Sequence, residues 1–212
     1  TGLAYIKAVG DFTSVKIGTY LFAYTYNLKK VDLNATETKI TAIPNYTFYY
    51  SGIEQIDLTG IVSIGYSAFY FSGLTSVVIP STLTTFSESV FANSAKLKTV
   101  TFEVNTKITT LGNYTFSECS SLAAVENIEG LTALSNFGTN TFAETAIKSF
   151  TIPETMVNLN TSYATFYGCA ELESVVLPSK LESMGGRIFD QTPKLTSVTY
   201  NGYEEDKDKV VM

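Results

Sequence analysis

Ile64-Gly65-Tyr66-Ser67-Ala68-Phe69, followed after four intervening residues by Leu74-Thr75-Ser76-Val77-Val78-Ile79-Pro80, decides the fold, because the chain repeats this text along its length. Phe69 has counterparts at Phe22, Phe48, Phe91, Phe116, Phe142, Phe166 and Phe189. The intervals between anchors run from 21 to 26 residues, an average of about 24. Five or six residues after each anchor stands an aliphatic: Leu28, Ile53, Leu74, Leu97, Leu122, Ile147, Leu172 and Leu195. Three beyond lie Val31, Ile56, Val77, Val100, Val125, Phe150, Val175 and Val198. Two further come Leu33, Leu58, Ile79, Phe102, Asn127, Ile152, Leu177 and Tyr200. Only Asn127 breaks that column, and Ile128 beside it is placed to restore the apolar contact through a bulge.

The L-x-x-V-x-L segment ends with period two, so it predicts a short strand burying one face. Such a strand is too short to stand alone. It stacks in parallel on the same strand of the next unit, about 4.8 Å away. A second apolar anchor precedes the phenylalanine by five residues at Ile17, Ile43, Ile64, Phe86, Leu111, Phe137 and Met184. Gly or Pro often follows it and punctuates the return leg. The unit of Phe166 departs from this spacing, with Leu159 seven residues upstream, which predicts a small insertion. Pro80, Pro153 and Pro178 share a column just past the strand, where a missing N–H ends the ladder. The anchor rings should form a continuous internal spine, each worth about 1.5–3 kcal/mol on burial.

With these columns in hand, the chain resembles the BspA-like leucine-rich repeats of surface proteins from anaerobic bacteria and some protozoa. The resemblance rests on the opening stretch and on Phe166-Tyr167-Gly168-Cys169-Ala170-Glu171-Leu172 leading into Val175-Val176-Leu177-Pro178. It covers roughly residues 12 to 203. It implies a leucine-rich-repeat solenoid, expected here as a β-rich α/β superhelix. One parallel sheet of short strands would line its concave face, with short helical turns or irregular segments on the convex face. It also implies an exported protein used in adhesion or capture, and it brings no catalytic residues.

Residues 1–212 read as a single repeat domain. A capping segment over about 1–16 alternates at Tyr5-Ile6-Lys7-Ala8-Val9, and a charged tail over about 203–212 contains Glu204-Glu205-Asp206-Lys207-Asp208-Lys209. The hydrophobic fraction of 45% and charged fraction of 16% describe a chain able to bury a core. A net charge of −6 argues against nucleic acid or an anionic membrane as partner. No apolar run is long enough to insert in a bilayer. Histidine is absent, which removes the commonest general base and zinc ligand. We therefore expect a non-enzyme without cofactor or metal, acting as a monomer. The chain begins at Thr1 rather than Met, so the lack of a signal or anchor within it says nothing about compartment. The expected location, extracellular or cell surface, comes from the resemblance.

Four features are candidate sites. Cys119 and Cys169 lie three residues after their anchors, in a column otherwise filled by Ser or Thr, and read as small buried thiols rather than a redox pair. The strand face opposite the core carries two ladders. One begins Lys30, Gln55, Ser76 and the other Asp32, Asp57, Val78. Asp32 and Asp57 would be adjacent carboxylates, but calcium wants six to eight oxygen ligands, and Lys30 can neutralise the pair. The third is an aromatic skew. Eight of 14 tyrosines lie between residues 20 and 70, outside the core columns. Tyr24, Tyr50 and Phe71 sit two positions after the anchor, and Tyr49 and Tyr70 one position after it. Stacked units align these rings as a stripe. It is either a wall of rings packed on one another or an amphipathic surface for protein or glycan. The fourth is a set of N-x-S/T triplets at Asn34, Asn45, Asn113 and Asn160, two of them within the repeat text Asn-Tyr-Thr-Phe, which read as turn residues. The residues expected to meet a partner are Tyr24, Tyr49, Tyr50, Tyr70, Phe71, Lys30, Asp32, Gln55 and Asp57. The expected function is a non-enzymatic cell-surface protein-binding or adhesion module. The alternative is a polysaccharide-capture protein of a nutrient-uptake system.

Overall fold

A computed structural model describes residues 2–8, 16–33, 40–159, 162–200 and 202. The chain winds into a β-solenoid of about seven turns. Its long ladder contains Tyr5–Lys7, Lys30–Asp32, Gln55–Ile56, Ser76–Ile79, Thr99–Phe102, Ala124–Glu126, Ser149–Thr151, Ser174–Leu177 and Ser197–Tyr200. These pair in parallel in the register of the sequence columns, for example Val31 with Ile56, Val77 with Val100, and Val175 with Val198. Period-two alternation buries Val77 and Ile79 while leaving Ser76 and Val78 in solvent. The ladder divides into three three-stranded pieces. One division follows Ala124–Glu126, where Asn127 breaks the apolar column. Asn127 takes a left-handed conformation instead of a bulge, and Ile128 opens a single 3-10 turn, Ile128–Gly130, that buries its side chain. The Asn127 amide nitrogen donates to the Phe102 carbonyl, so the displaced polar group stays bonded to the preceding coil.

The expected α/β superhelix with helical turns opposite the sheet is not what forms. Ile128–Gly130 is the only helical element among the described residues. The second anchors instead make a short ladder of two-residue strands: Ala42–Ile43, Ser63–Ile64, Thr85–Phe86, Thr110–Leu111, Asn136–Phe137, Asn158–Leu159 and Ser183–Met184. Leu159 pairs with Met184 despite its longer spacing to Phe166. The leg carrying the anchor phenylalanine is bonded between coils as well. Tyr46, Phe48 and Tyr50 donate their N–H groups to the carbonyls of Tyr66, Ala68 and Tyr70 at 2.8–2.9 Å, while Tyr49 and Ser51 donate within their own turn. The same three-bond pattern joins the Phe69, Phe91 and Phe116 coils to the coils that follow them. A helix needs each N–H to reach a carbonyl four residues back. Here every second N–H is committed to a neighbouring coil.

That arrangement requires an unusual backbone. At all eight anchors the residues two before and two after have positive φ: Tyr20 and Tyr24, Tyr46 and Tyr50, Ser67 and Phe71, and so on to Arg187 and Gln191. Only Gly168 among the sixteen is glycine. Left-handed side-chain-bearing residues are disfavoured by about 1–2 kcal/mol each, a cost the regular intercoil bonds offset.

Inside, the spine is continuous. Successive anchor rings from Phe22 to Phe189 stack at centroid distances of 5.2–6.1 Å with planes within 20° of parallel. Phe48, Phe69, Phe91, Phe116, Phe142 and Phe166 are fully buried, whereas Phe22 and Phe189 are partly buried. Beside the rings runs the Ser/Thr/Cys column. Thr25, Thr145 and Thr192 donate to the carbonyl of their own anchor, and Ser94, Cys119 and Cys169 to that of the preceding coil. Val9, Asn34, Asn160 and the run Glu204 to Lys209 lie outside the described residues.

Candidate functional site

The aromatic skew becomes a slab. Two positions after the anchor, Tyr24, Tyr50 and Phe71 form a column with steps of 5.8 Å and 4.6 Å. One position after it, Tyr49 and Tyr70 stack at 5.2 Å. Two positions before it, Tyr20 and Tyr46 stack at 4.5 Å, 7° from parallel, and Tyr66 meets Tyr46 edge-on at 5.3 Å. Edge contacts knit the columns together, with Tyr49 lying 5.7 Å from Tyr24 and 5.6 Å from Tyr46. Eight rings from three consecutive coils thus touch one another. Tyr24 and Phe71 are half exposed, while Tyr49, Tyr50 and Tyr70 are half buried.

The cause is local. Tyr20, Tyr24, Tyr46, Tyr50 and Phe71 are all left-handed, with φ between 52° and 58°, and each column repeats at the coil spacing. Ring faces at that spacing satisfy offset stacking. Partial burial, then the neighbouring phenols, push Tyr49 and Tyr70 above the ordinary tyrosine pKa, and the same causes act on Tyr46. The column Tyr20–Tyr46, with Tyr66 beside it, was not among the expected partner residues. The signal was present in the sequence as tyrosine two positions before two successive anchors. Tyr167 is different: it accepts a hydrogen bond from Gln191 at 2.6 Å and lies under the Arg187 guanidinium at 5.3 Å.

The remaining candidates, Lys30, Asp32 and Gln55 on the long ladder and Asp57 just past it, line a separate open groove of about 300 Å³. Lys30 pairs with Gln55 in register. Asp57 lies beyond the short strand Gln55–Ile56, and its carboxylate accepts the Thr59 N–H at 2.9 Å, so it caps a turn. Among the described residues no group of three or more His, Cys, Asp or Glu is arranged to hold a metal ion.

The two described triplets at Asn45 and Asn113 are structural. Each asparagine oxygen accepts an N–H from the next coil, Tyr66 and Thr139 respectively, at 2.8 Å. Thr47 and Thr115 are buried and donate back to Pro44 and Gly112. Both thiols are buried and free, and burial pushes Cys119 up to about 12 and raises Cys169 as well. That is the environment of packing residues, not of nucleophiles.

Residues 9–123, 41–163 and 100–206 match the BspA type leucine rich repeat region, in six copies. No curated protein matches the sequence. Among solved structures, the chain is similar to a leucine rich cell surface protein of Faecalibacterium prausnitzii, at 20% identity and a TM-score of 0.58, over 98% of this chain and 62% of that one. It is similar to a leucine-rich repeat protein of Bacteroides ovatus at 20% identity and a TM-score of 0.55, over 93% of this chain and 60% of that one. The chain therefore spans about three-fifths of the length of either structure. These likenesses concern the fold. No helix among the described residues is long and apolar enough to cross a membrane.

Proposed function

The chain belongs to the BspA-type leucine-rich repeat family, and from that premise we propose that it is a non-enzymatic, surface-displayed module that binds other proteins through the slab of Tyr24, Tyr49, Tyr50, Tyr70 and Phe71. The observation that carries this reading is the contiguity of eight rings at one end of the solenoid, several of them half exposed. Rings of this kind contribute large contact area at low entropic cost, with hydroxyls left for hydrogen bonding. A contiguous stripe of part-exposed rings on a packed scaffold supports this reading, since exposed apolar patches are rare where no partner is met. The cell-surface setting is supported by the Faecalibacterium neighbour, which carries that description.

The second reading is polysaccharide capture, favoured by the half-exposed rings of Tyr24 and Phe71, on which a sugar face could stack. A glycan array separates the two: retention of a defined oligosaccharide supports capture of sugar, and silence supports a protein partner. The decisive variant replaces Tyr24, Tyr50 and Phe71 together by Ser. Partner recovery in a pull-down is expected to be lost while the circular dichroism spectrum stays unchanged. Undiminished recovery removes the slab as the site.

A further inference from the structure

Beside the slab runs a groove of about 240 Å³, lined by Tyr26, Tyr50, Phe71, Gly73, Asn93 and Lys96, with Ser51, Gly52 and Ser72 on its floor and Ala95 at the end by Lys96. It follows one register position, four residues after the anchor. That position holds Tyr26, Gly52, Gly73 and Ala95 in successive coils. The two glycines answer to coil packing. A Cβ at Gly52 would fall on the Tyr26 carbonyl oxygen, and one at Gly73 would come within 2.9 Å of the Gly52 oxygen. Their lack of side chains also hollows the surface between the Tyr26 ring and Ala95. The ring column forms one wall and stops at Asn93, where the next coil carries an amide in place of a ring.

Most of the polar groups traced on the floor are already committed. Gly52 N–H donates to the Thr25 carbonyl and Gly73 N–H to Ser51. The Ser72 and Ser94 hydroxyls bond each other at 2.9 Å, and the Ser51 hydroxyl, which has no hydrogen-bond partner, is buried beneath the groove surface. A sugar entering this groove would give up hydrogen bonds to water that its largely apolar lining does not all return. An apolar side chain gives up none. At the rim, Lys96 forms no ion pair within contact distance among the described residues; its charge acts on the Glu54 carboxylate from further off, and that carboxylate is bonded to Lys29.

We infer that this groove receives one aromatic or large aliphatic side chain of an extended acidic peptide segment, with a flanking carboxylate against Lys96. The inference rests on the protein-binding reading above and names the chemistry of the partner. Its test uses variants that leave the slab rings intact. Ala95→Trp closes the groove at its end, and Lys96→Glu reverses the rim charge.

The probe is the synthetic peptide N-acetyl-Gly-Asp-Phe-Asp-Gly-amide, titrated into the isotope-labelled chain and followed by amide chemical shifts. Saturable shifts are expected at residues 50–52, 71–73 and 93–96. Binding should vanish in Ala95→Trp, weaken about fivefold at low salt in Lys96→Glu, and vanish for a peptide with Ala in place of Phe. Thermal melts check that both variants fold. The inference is overturned if the Phe and Ala peptides shift the same amides equally, if the shifts map elsewhere, if the peptide leaves every amide unmoved, or if cellobiose produces the groove shifts and the peptide does not. Should Tyr24, Tyr50 and Phe71 prove necessary for capture of a protein partner while Ala95→Trp and Lys96→Glu do nothing, the slab reading survives and the groove does not.

Discussion

Removing one ring from the middle of the spine tests how the coils are held. Phe116 is fully buried, stacks 5.6 Å from Phe91 and 5.5 Å from Phe142, and lies 6.1 Å from Phe86. Phe116→Ala deletes the ring and leaves a cavity between two others, at a cost of about 3–5 kcal/mol. At roughly 2–4 °C per kcal/mol for a chain of this length, the melting midpoint falls by about 6–20 °C. Phe22→Ala is the internal comparison. Phe22 is partly buried with one spine neighbour, Phe48 at 5.5 Å, so its loss costs about 1.5–3 kcal/mol. Ser117→Ala, one residue away, removes a single oxygen and costs about 1 kcal/mol or less. Urea unfolding followed by circular dichroism ranks the three. Because coils couple chiefly to their neighbours, the interior loss should also broaden the transition. Equal midpoints for Phe116→Ala and Ser117→Ala, or a larger loss for Phe22→Ala than for Phe116→Ala, would refute the spine.

Two other perturbations follow from the packing. Gly52→Ala places a methyl on the Tyr26 carbonyl, and should cost more than about 2 kcal/mol. Gly130→Ala, where a Cβ meets nothing within 4 Å, should cost far less, as urea midpoints would reveal. Buried Cys119 and Cys169 should react with a thiol reagent at pH 8 only on unfolding, and prompt labelling of the folded chain would contradict their burial. Since Cys119 is pushed from 9.0 to about 12, the folded state favours its protonated form. Its contribution to stability is therefore full below pH 9 and is lost as pH rises toward 12. Cys119→Ala should show a shallower fall in urea midpoint over that window, and identical slopes would exclude the thiol as the cause.

The parts of the fold legible beforehand were those written as side-chain columns. The Phe spine, the parallel pairing of Val77 with Val100 and the buried Ser/Thr/Cys column all follow from residue type at a fixed spacing. What escaped was carried by the backbone. Tyr, Ser, Asn, Glu, Ala and Arg all occupy the left-handed positions flanking the anchors, so no residue type announces them, and helical turns or irregular segments were expected where regular hydrogen bonds between coils run. The short ladder was legible as a column of second anchors at Ile43, Ile64 and Phe86, but two-residue strands carry no period-two signal. At the candidate site, the column of Tyr24, Tyr50 and Phe71 could be read directly. Its junction with Tyr20, Tyr46 and Tyr66 could not, because ring contacts across the anchor depend on where the left-handed residues aim them.

The left-handed residues that trail each anchor separate surface chemistry from folding. From Tyr24 to Gln191, the side chains at these places include a phenol, a phenyl, an amide and a carboxylate on the same backbone path, none of them buried, whereas Ser67, Ser89 and Ala164 ahead of their anchors are buried. A lineage can therefore rewrite the outer text of any winding, one letter at a time, without disturbing the rings within. Recognition in such a protein is free to drift while its architecture stands still.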